Sequence, residues 1–570
     1  MGKEMKYIEF VDVYEKLGAT AGRLDKTEIL ASFMKKLEKE GKAEWGYLLY
    51  GKVVPDYDAR EFGISRQLAF KAISKAFGIN EKKVIEEFNK IGDLGEIAEK
   101  FADKRKQSAL FSKALTVAKV FDNLQKAMVI EGKGAVDRKM ALTSELLGQA
   151  SGKEAKYIIR TLLNDLRIGV QEGVVRDALV SAFFKEKEGM AEKVEDAYGM
   201  VNDFAVVFEA CAKGEKELGK IEVMVGRPMK VMLAVKAESV EEAFEICGKP
   251  AAFEYKYDGF RLVINKKGKE IKLFTRRLED VTAQFPDVVA AVRENVKGES
   301  FILDSEAVGF DKKTGKYKPF EAISQRIKRK YDINKLIKEL PVEVNVFDVM
   351  YLNGENLMDK PYTERRKILE KVIKEERWKI RTSEQKVIDS EKDAEKFYHD
   401  ALKAGEEGVM IKRIDAPYKQ ARRVGYMAKL KPAVADLDLV IVGAEYGSGK
   451  RAGWLTSYIV ACLSDGKFLE VGKVSSGLKE LEGEGEGDTT HEEMTKMLKP
   501  LIIGKKGNTV EAEPKIVVSV TYQNIQGSPS YNSGFAMRFP RITHYRPDKR
   551  VGEIATLEDI EREVKRGQRR

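Results

Sequence analysis

The sequence predicts a multidomain protein with an all-α N-terminal domain, a mixed α/β domain and a small C-terminal β-barrel. Three observations support this prediction. The 570 residues exceed the length at which a single hydrophobic core usually stops growing. Residues 1–222 carry apolar side chains at helical spacing, whereas period-two alternation begins at about residue 223. From residue 431 onward, short strand-like runs are separated by Gly-rich turns, a pattern typical of small barrels. We therefore expect domains at 1–222, 223–430 and 431–570.

Within the first domain, the apolar positions between Leu68 and Phe77 predict a helix, and Gly78 predicts its end. Asp25, with Glu28 three residues later, has the spacing of a capping box and predicts a helix that begins after Asp25. The charged, Gly-bearing segment Lys213–Lys220 is interpreted as a linker or domain edge.

The two later domains are predicted from their strands. FEYKY, RLVINK, IKLFT and VEVNVFDVMYL alternate in the second domain, with helical segments between them. LDLVIVGAEYG, SYIVACL and KIVVSVTYQNI follow in the third, where helix is expected to be sparse apart from a segment after His491. The acidic run that ends at Asp488 is expected to be a loop.

Composition excludes several classes of protein. With 43% hydrophobic residues the chain is too apolar to be disordered, and its formal net charge of +10 permits a polyanionic partner without proving one. No apolar run approaches the ~20 residues of a membrane span, and MGKEMKYIEF lacks the core of a signal peptide. We therefore expect a soluble, cytoplasmic protein without a membrane partner. The three cysteines and three histidines are scattered, which excludes a disulfide framework and a Cys/His metal site: Cys211, Cys247, Cys462, His399, His491 and His544.

The stretch from Glu254 to Arg261 contains a candidate nucleophile. Period-two geometry places Glu254, Lys256 and Asp258 on one face of a strand, backed by aromatic residues on the other. A lysine is protonated at neutral pH because its pKa is ~10.4, and nearby cations or burial would lower that pKa. Gly259 is expected to form the tight turn into the next strand. The alternative for Lys256 is a surface strand with ordinary salt bridges.

Other polar and aromatic residues follow in a defined order. The order along the chain is an acid, an aromatic residue, a second acid, two paired lysines and a distal pair of arginines: Glu306, Phe347, Glu407, Lys429, Lys431, Arg538 and Arg541. This ordered set resembles the covalent nucleotidyltransferase superfamily, and within it the archaeal-type ATP-dependent DNA ligases. The helical region also resembles the DNA-binding domain of those ligases, notably from Arg160 to Leu179. The resemblance implies an adenylation (nucleotidyltransferase) domain at 223–430 and an OB-fold at 431–570.

The resemblance further implies a DNA ligase that seals nicks during replication, repair and recombination. Lys256 would attack the α-phosphate of ATP, AMP would pass to the 5′-phosphate of a nick, and the 3′-hydroxyl would displace AMP. Glu254 would read the adenine edge, and Arg261 and Glu306 would hold the ribose and neighbouring groups. Phe347 would stack on the adenine, although a plain core aromatic is the alternative.

The remaining site residues are assigned by the same resemblance. Glu407, together with Glu306, would bind the divalent metal, Mg²⁺ with Mn²⁺ as the alternative. The phosphates and the 5′ end would be contacted by basic residues: Arg276, Arg423, Lys429 and Lys431. Arg538 and Arg541 would contact the leaving pyrophosphate.

The implied partner is nicked double-stranded DNA, bound by a monomer. The turn from Arg167 to Gly173 is the candidate phosphate contact, with a plain helix–turn–helix connection as the equal alternative. Gln107–Phe111 resembles a sliding-clamp peptide, but a loop packed on its own domain is nearly as good an interpretation. Gly447–Lys450 is not a P-loop, because Ala444 and Arg451 stand where that motif needs Gly and Ser/Thr.

Two other functions remain as alternatives. An RNA ligase or capping enzyme of the same superfamily would share the lysine chemistry, but it would lack the large helical region. A non-catalytic DNA-binding scaffold would not need Lys256, Glu306, Glu407, Lys429 and Lys431 together.

Overall fold

A computed structural model describes residues 4–569 except 59, 105–113, 186, 319, 330–331, 421–424, 433–435, 448–450, 452 and 480–488. Its contacts divide the chain into two compact units, Met1–Lys431 and Pro432–Arg570, which are described separately. Among the described residues, no helix has both the length and the apolar character that a membrane span requires.

The first part of unit one is helical, as predicted. Its helices share one apolar core that extends from Met5 to Leu218. They are α1 (Tyr7–Ala19), α2 (Arg23–Glu40), a 3-10 helix (Ala43–Tyr50), α3 (Arg66–Phe77), α4 (Glu81–Ile91), α5 (Leu94–Asp103), α6 (Val117–Val129), α7 (Ala135–Gln149), α8 (Gly152–Leu162), α9 (Glu172–Phe184), α10 (Met190–Val201), α11 (Phe204–Lys213) and α12 (Glu215–Leu218). The segment interpreted as a linker contains the short helix α12, and Leu218 is buried in the core.

The ends of α2 and α3 test two predictions about helix boundaries. Ser65 caps α3, and Gly78 ends it in the left-handed conformation with φ 66°, so this prediction is confirmed. The capping box at Asp25 is wrong, because α2 begins at Arg23 after Gly22. Asp25 lies instead in the first turn, where a carboxylate interacts favourably with the helix dipole.

The rest of unit one contains two sheets with helices packed on them, which confirms the mixed α/β class. The elements are β1 (Val235–Ala237), α13 (Val240–Cys247), β2 (Ala251–Lys256), β3 (Phe260–Lys267), β4 (Glu270–Thr275), a 3-10 turn (Thr282–Gln284), α14 (Pro286–Asn295), β5 (Ser300–Asp311), β6 (Lys316–Tyr317), α15 (Phe320–Lys328), α16 (Ile333–Glu339), β7 (Val342–Leu352), β8 (Glu355–Asn356), α17 (Tyr362–Val372), β9 (Ile380–Thr382), β10 (Gln385–Ile388), α18 (Glu391–Lys403), β11 (Gly408–Arg413) and β12 (Met427–Leu430).

The chain passes from one sheet to the other directly between β2 and β3. The first sheet has the order β1-β12-β11-β2-β10, and the second has β4-β3-β5-β7-β8, with β6 on β5 and β9 on β7. A methionine-rich cluster contains residues of both sheets and of the segment before β1: Met229, Met232, Met350, Met358 and Met427. The residues that leave β2 and enter β3 therefore lie where the two sheets meet.

Gly259 stands at this crossing for a different reason from the one predicted. Its φ is not among the positive values found in the chain. Instead, a Cβ at this position would lie 2.4 Å from the carbonyl oxygen of Ala307 in β5. The close approach of β5, and not a left-handed turn, requires glycine here.

Unit two is rich in strands, which confirms the expected OB-fold class. Its main sheet has the order β15-β14-β13-β17-β16, and β18 pairs with both β13 and β21. The elements are β13 (Leu437–Tyr446), β14 (Leu455–Ser464), β15 (Lys467–Val474), α19 (His491–Leu498), a 3-10 turn (Lys499–Leu501), β16 (Ile502–Lys506), β17 (Thr509–Ala512), β18 (Val517–Thr521), β19 (Asn524–Gly527), β20 (Phe535–Arg538), β21 (Arg541–Tyr545), a 3-10 turn (Val551–Glu553) and α20 (Leu557–Arg569). The helix expected after His491 is α19, whereas the longer helix α20 was not predicted.

Candidate active site

One face of the first sheet carries the polar residues of the site. Register pairs Met410 of β11 with Glu254 of β2 and with Lys429 of β12, so these three side chains form one row. The opposite face is apolar and packs into a core, through residues such as Phe253 and Val409. The alternation predicted around Lys256 is therefore the alternation in the structure.

Lys256, the last residue of β2, is bound to the carboxylate of Glu407, which immediately precedes the neighbouring strand β11. Its Nζ forms an ion pair with Oε2 of Glu407, and Oε1 of Glu407 accepts from Nζ of Lys431. The backbone N–H of Glu407 also donates to the carbonyl oxygen of Lys256 at 2.9 Å. One carboxylate thus holds two ammonium groups side by side.

The sequence led us to expect a lowered pKa for Lys256. For the protein without ligands this expectation is wrong. Burial lowers the pKa of this lysine, but the carboxylates of Glu407, Glu306 and Asp258 outweigh burial and raise it above its ordinary value. For Glu407 the signs are reversed. Burial raises its pKa, but the ammonium groups of Lys256 and Lys431 outweigh burial and hold that pKa below its usual range. Acidic neighbours, not basic ones, dominate around Lys256, so the lysine is held as an ammonium.

Glu254 is almost completely buried in a polar cage. Its Oε2 lies 2.9 Å from Nζ of Lys412, and its Oε1 accepts a hydrogen bond from the hydroxyl of Tyr362. The Lys412 ammonium lies 4.6 Å from the ring centroid of Phe347 and 4.7 Å from that of Tyr362. It also donates to the carbonyl oxygen of Phe347 at 3.2 Å.

Phe347 is only half-buried, which disfavours the plain core aromatic. Its ring has Lys412 on one side and the guanidinium of Arg261 5.4 Å from its centroid. Cations next to an aromatic ring are favourable contacts, and they fix the orientation of the ring.

Arg261, in β3, is held by an aspartate and by a backbone carbonyl. Its Nε donates to Oδ1 of Asp304 at 2.9 Å, and its Nη1 donates to the carbonyl oxygen of Met232 at 2.8 Å. Asp304 is fully buried and also accepts from the hydroxyl of Tyr418 at 2.7 Å. Burial lowers the pKa of Arg261, and Asp304 more than reverses this effect, so the guanidinium stays charged.

Glu306 faces Arg261 across the β3–β5 ladder and is half-buried. Burial raises its pKa to about 7, although Lys256 and Arg261 act in the opposite direction. The carboxylates of Glu306 and Glu407 both raise the pKa of Lys256, and that of Glu407 is in direct contact with its Nζ.

The other predicted residues lie in several places. Lys429 is half-buried in β12, and Arg276 is exposed in the turn after β4. Arg538 ends β20 and Arg541 begins β21, both in unit two. Arg423, Gln107–Phe111 and Ser448–Lys450 lie outside the described residues.

Sequence reasoning missed five residues that shape the site: Tyr362, Asp304, Tyr418, Lys412 and Gly408. Lys412 had a signal, because it alternates with Met410 on the site face. Gly408 is required because a Cβ there would lie 2.2 Å from the carbonyl oxygen of Leu430. The two tyrosines had no local signal, since their partners are more than 100 residues away in the sequence.

The candidate DNA contact is a loop between α8 and α9 that other residues hold in place. Nζ of Lys26 donates to the carbonyl oxygens of Ile168 and Gly169 at 3.1 and 3.0 Å. Arg167 donates to the buried carboxylate of Asp93 at 3.0 Å. The loop is thus a connection between two helices, and contacts with Lys26 and Asp93 fix its shape.

Family models match most of the chain. The DNA ligase N terminus matches residues 6–180, the ATP dependent DNA ligase domain residues 231–431, and the ATP dependent DNA ligase C terminal region residues 451–549. The chain belongs to the ATP-dependent DNA ligases. Its similarity to archaeal relatives places it with the archaeal-type ligases, enzymes that join DNA through a nucleotidyl transfer from ATP.

Relatives of known name agree with this assignment, and a solved structure shares the fold. A DNA ligase of Nanoarchaeum equitans is 49% identical over 99% of both chains. One of Thermococcus onnurineus is 43% identical over 98% of this chain and 97% of its own. A solved structure described as Pmar-Lig_PreS3 shares the fold, with a TM-score of 0.54 and 16% identity over 94% of this ligase and 99% of that chain.

Proposed function

We propose that Lys256 is the nucleophile of this DNA ligase and that it carries AMP between ATP and the 5′-phosphate of a nick. The observation that supports the proposal is the position of its Nζ. It lies on the polar face of the first sheet, bound to a carboxylate that Lys431 shares. Glu254 and Phe347 lie close to Lys412 on the same side, and they would form the adenine site.

Each residue then has a task that follows from its surroundings. Lys256 must lose a proton to solvent, to which its side chain is partly exposed, before its lone pair can attack the α-phosphorus, because only the neutral amine is a nucleophile. The N–P bond forms as the bond to pyrophosphate breaks. Lys429 and Lys431 would neutralise the charge that develops on the phosphates. Arg261 would hold the ribose, since Asp304 and Met232 fix its guanidinium.

We propose that the divalent metal is Mg²⁺, held by Glu306 and Glu407. Two carboxylates fit this ion, which binds proteins through one or two carboxylates and completes its shell with waters and substrate phosphates. Within the described ranges, no three His, Cys, Asp or Glu residues are grouped to hold a metal without such help. When bound, Mg²⁺ would supply positive charge next to the phosphates.

The remaining assignments rest on the sequence resemblance. We propose domains at 1–222, 223–430 and 431–570, with Arg276 and Arg423 at the nucleotide and its phosphates, and Arg538 and Arg541 at the pyrophosphate. The loop Arg167–Gly173 would contact DNA phosphates, and Gln107–Phe111 would bind a sliding clamp. The enzyme would act as a monomer.

The test is a labelling assay with α-³²P-ATP, Mg²⁺ and a singly nicked duplex. Wild type should carry label on the protein, then show AMP-DNA and sealed strand in turn. Lys256→Ala should lose all protein label because no other amine occupies that position, while it still binds nicked DNA. Lys266→Ala is the matched control, since Lys266 lies at the far end of the next strand, β3, where its Nζ contacts the carbonyl oxygen of Gly298.

The proposal is wrong if Lys256→Ala still forms the covalent adenylate. A nicked RNA duplex run in parallel identifies the substrate. Sealing of RNA in preference to DNA would contradict a DNA ligase. Label on the protein without sealing of either substrate would support Lys256 as the nucleophile but not the transfer of AMP to a nick.

A further inference from the structure

Tyr418 lies at the centre of the contacts that hold Arg261. Its side chain is 2% exposed. The hydroxyl donates to Oδ2 of Asp304 at 2.7 Å and accepts the backbone N–H of Met232 at 3.1 Å. Nη2 of Arg261 lies 3.4 Å from the same oxygen.

Tyr418 and Arg261 share both of their partners. Asp304 accepts hydrogen bonds from the arginine and from the tyrosine, and Met232 offers its carbonyl to the first and its N–H to the second. The four residues therefore form a closed network in which each member limits the movement of the others. Buried networks that are fully hydrogen-bonded are rigid.

The tyrosine is fixed from two directions. Its own N–H donates to the carbonyl oxygen of Met358 at 2.7 Å, and its ring packs into the methionine-rich cluster. The next residue, Lys419, forms an ion pair with Asp196 of α10 at 3.3 Å. The hydroxyl is thus held at one point relative to β5 and to the helical region.

We propose that Tyr418 is a positioning residue that orients Arg261 for ATP during self-adenylation. The inference rests on the proposed function, because it needs Arg261 to contact the nucleotide. Without the hydroxyl, Asp304 and Met232 each lose one partner. They still bind Arg261, but they are less firmly fixed and so restrain the arginine less. The guanidinium would then sample orientations that do not meet the ribose.

The test is Tyr418→Phe, which keeps the ring and removes only the hydroxyl. The ATP concentration for half-maximal self-adenylation should rise about tenfold, the size expected for one lost hydrogen bond in a charged network. The maximal rate at saturating ATP should change by less than about twofold, because Lys256 and Glu407 are untouched. A variant that needs no more ATP than wild type overturns the proposal.

Two further variants separate positioning from general damage. Tyr47→Phe is the matched control, since Tyr47 is a buried tyrosine whose hydroxyl donates to Asp203 at 2.6 Å in the helical region. It should leave the ATP requirement unchanged. A rise equal to that of Tyr418→Phe would mean that any lost buried hydroxyl has this effect, and the proposal would fail.

The double variant Tyr418→Phe/Arg261→Lys tests the route through Arg261. If the tyrosine acts through the arginine, the double variant should need no more ATP than Arg261→Lys alone. Additive effects would contradict that route. If Lys256→Ala still forms the adenylate, the proposed function itself has failed; if it does not and Tyr418→Phe is normal, only this inference has failed.

Discussion

Glu254 and Lys412 are a buried ion pair whose members depend on each other. They are 2% and 3% exposed, and each has further polar partners, the hydroxyl of Tyr362 for the acid and the carbonyl oxygen of Phe347 for the lysine. Removing one partner from such a pair leaves a charge without compensation inside the protein. This is the site at which one substitution should affect stability and nucleotide recognition together.

Lys412→Met should lower the free energy of unfolding by about 3 kcal/mol, because it leaves the Glu254 carboxylate buried without its cation. Denaturant unfolding of both proteins measures the difference. The double variant Glu254→Gln/Lys412→Met should recover part of the loss, since neither charge then remains. Equal stability of Lys412→Met and wild type would show that the pair contributes nothing.

At the scale of elements, β11 and β12 approach closely next to Lys256. Gly408 faces Lys256 in the register of β11 and β2, and it has φ +147°. A Cβ on this residue would lie 2.2 Å from the carbonyl oxygen of Leu430 and 3.2 Å from Cα of Lys431. Backbone cannot move aside as a flexible side chain can, so a methyl group here must displace β12.

Gly408→Ala should therefore reduce self-adenylation at least about tenfold, because displacement of β12 moves Lys431 away from Glu407 and small shifts in geometry are costly in catalysis. The rate of protein labelling with α-³²P-ATP measures it. Gly354→Ala is the control for backbone conformation alone, since Gly354 has φ +97° but no atom within 4 Å of a Cβ. Similar losses in both variants would assign the effect to φ and not to the contact with β12.

The sequence predicts the elements and the polar face better than the contacts between distant segments. Strand alternation places Glu254 and Lys256 correctly because period two is a local property of the backbone. It is silent on Tyr418, whose hydroxyl meets a peptide group 186 residues earlier in the chain. Helix α20 was missed because its sequence is highly charged. Only a few apolar residues, Leu557, Ile560 and Val564, mark the helical period and pack on the core.

The prediction about the charge of Lys256 failed for a related reason. The lysines that follow in the sequence suggested a positively charged site. In the structure, three carboxylates instead raise the pKa of Lys256: Glu407, Glu306 and Asp258. The order of charged residues along a chain does not show which of them lie close together in the fold. The sign of a pKa shift depends on those contacts, so only the structure could give it.

On the scale of the whole molecule, the chain has a formal net charge of +10 and a polyanion as its substrate. Contacts with phosphates release bound counterions, so affinity for DNA falls steeply as salt rises. The proposed nucleotide site consists instead of buried groups, which salt screens weakly. The two ligands of this ligase should therefore respond differently to ionic strength.

Affinity for a nicked duplex should fall on the order of a thousandfold between about 50 and 200 mM salt, the loss expected for several phosphate contacts. Fluorescence anisotropy with a labelled duplex measures this. Self-adenylation at saturating ATP, followed over the same range, should change little and serves as the control. An affinity that does not respond to salt would contradict a contact dominated by phosphates.

The peptide of Met232 contributes to the site through its backbone. Its carbonyl oxygen accepts from Arg261, and its N–H donates to Tyr418, while its side chain packs in the methionine-rich cluster. Selection at this position can therefore act on shape and on the presence of an amide hydrogen, but not on side-chain chemistry. Leucine or isoleucine would preserve both contacts, whereas proline would remove the donor. Such a residue takes part in the site without leaving any motif in a sequence.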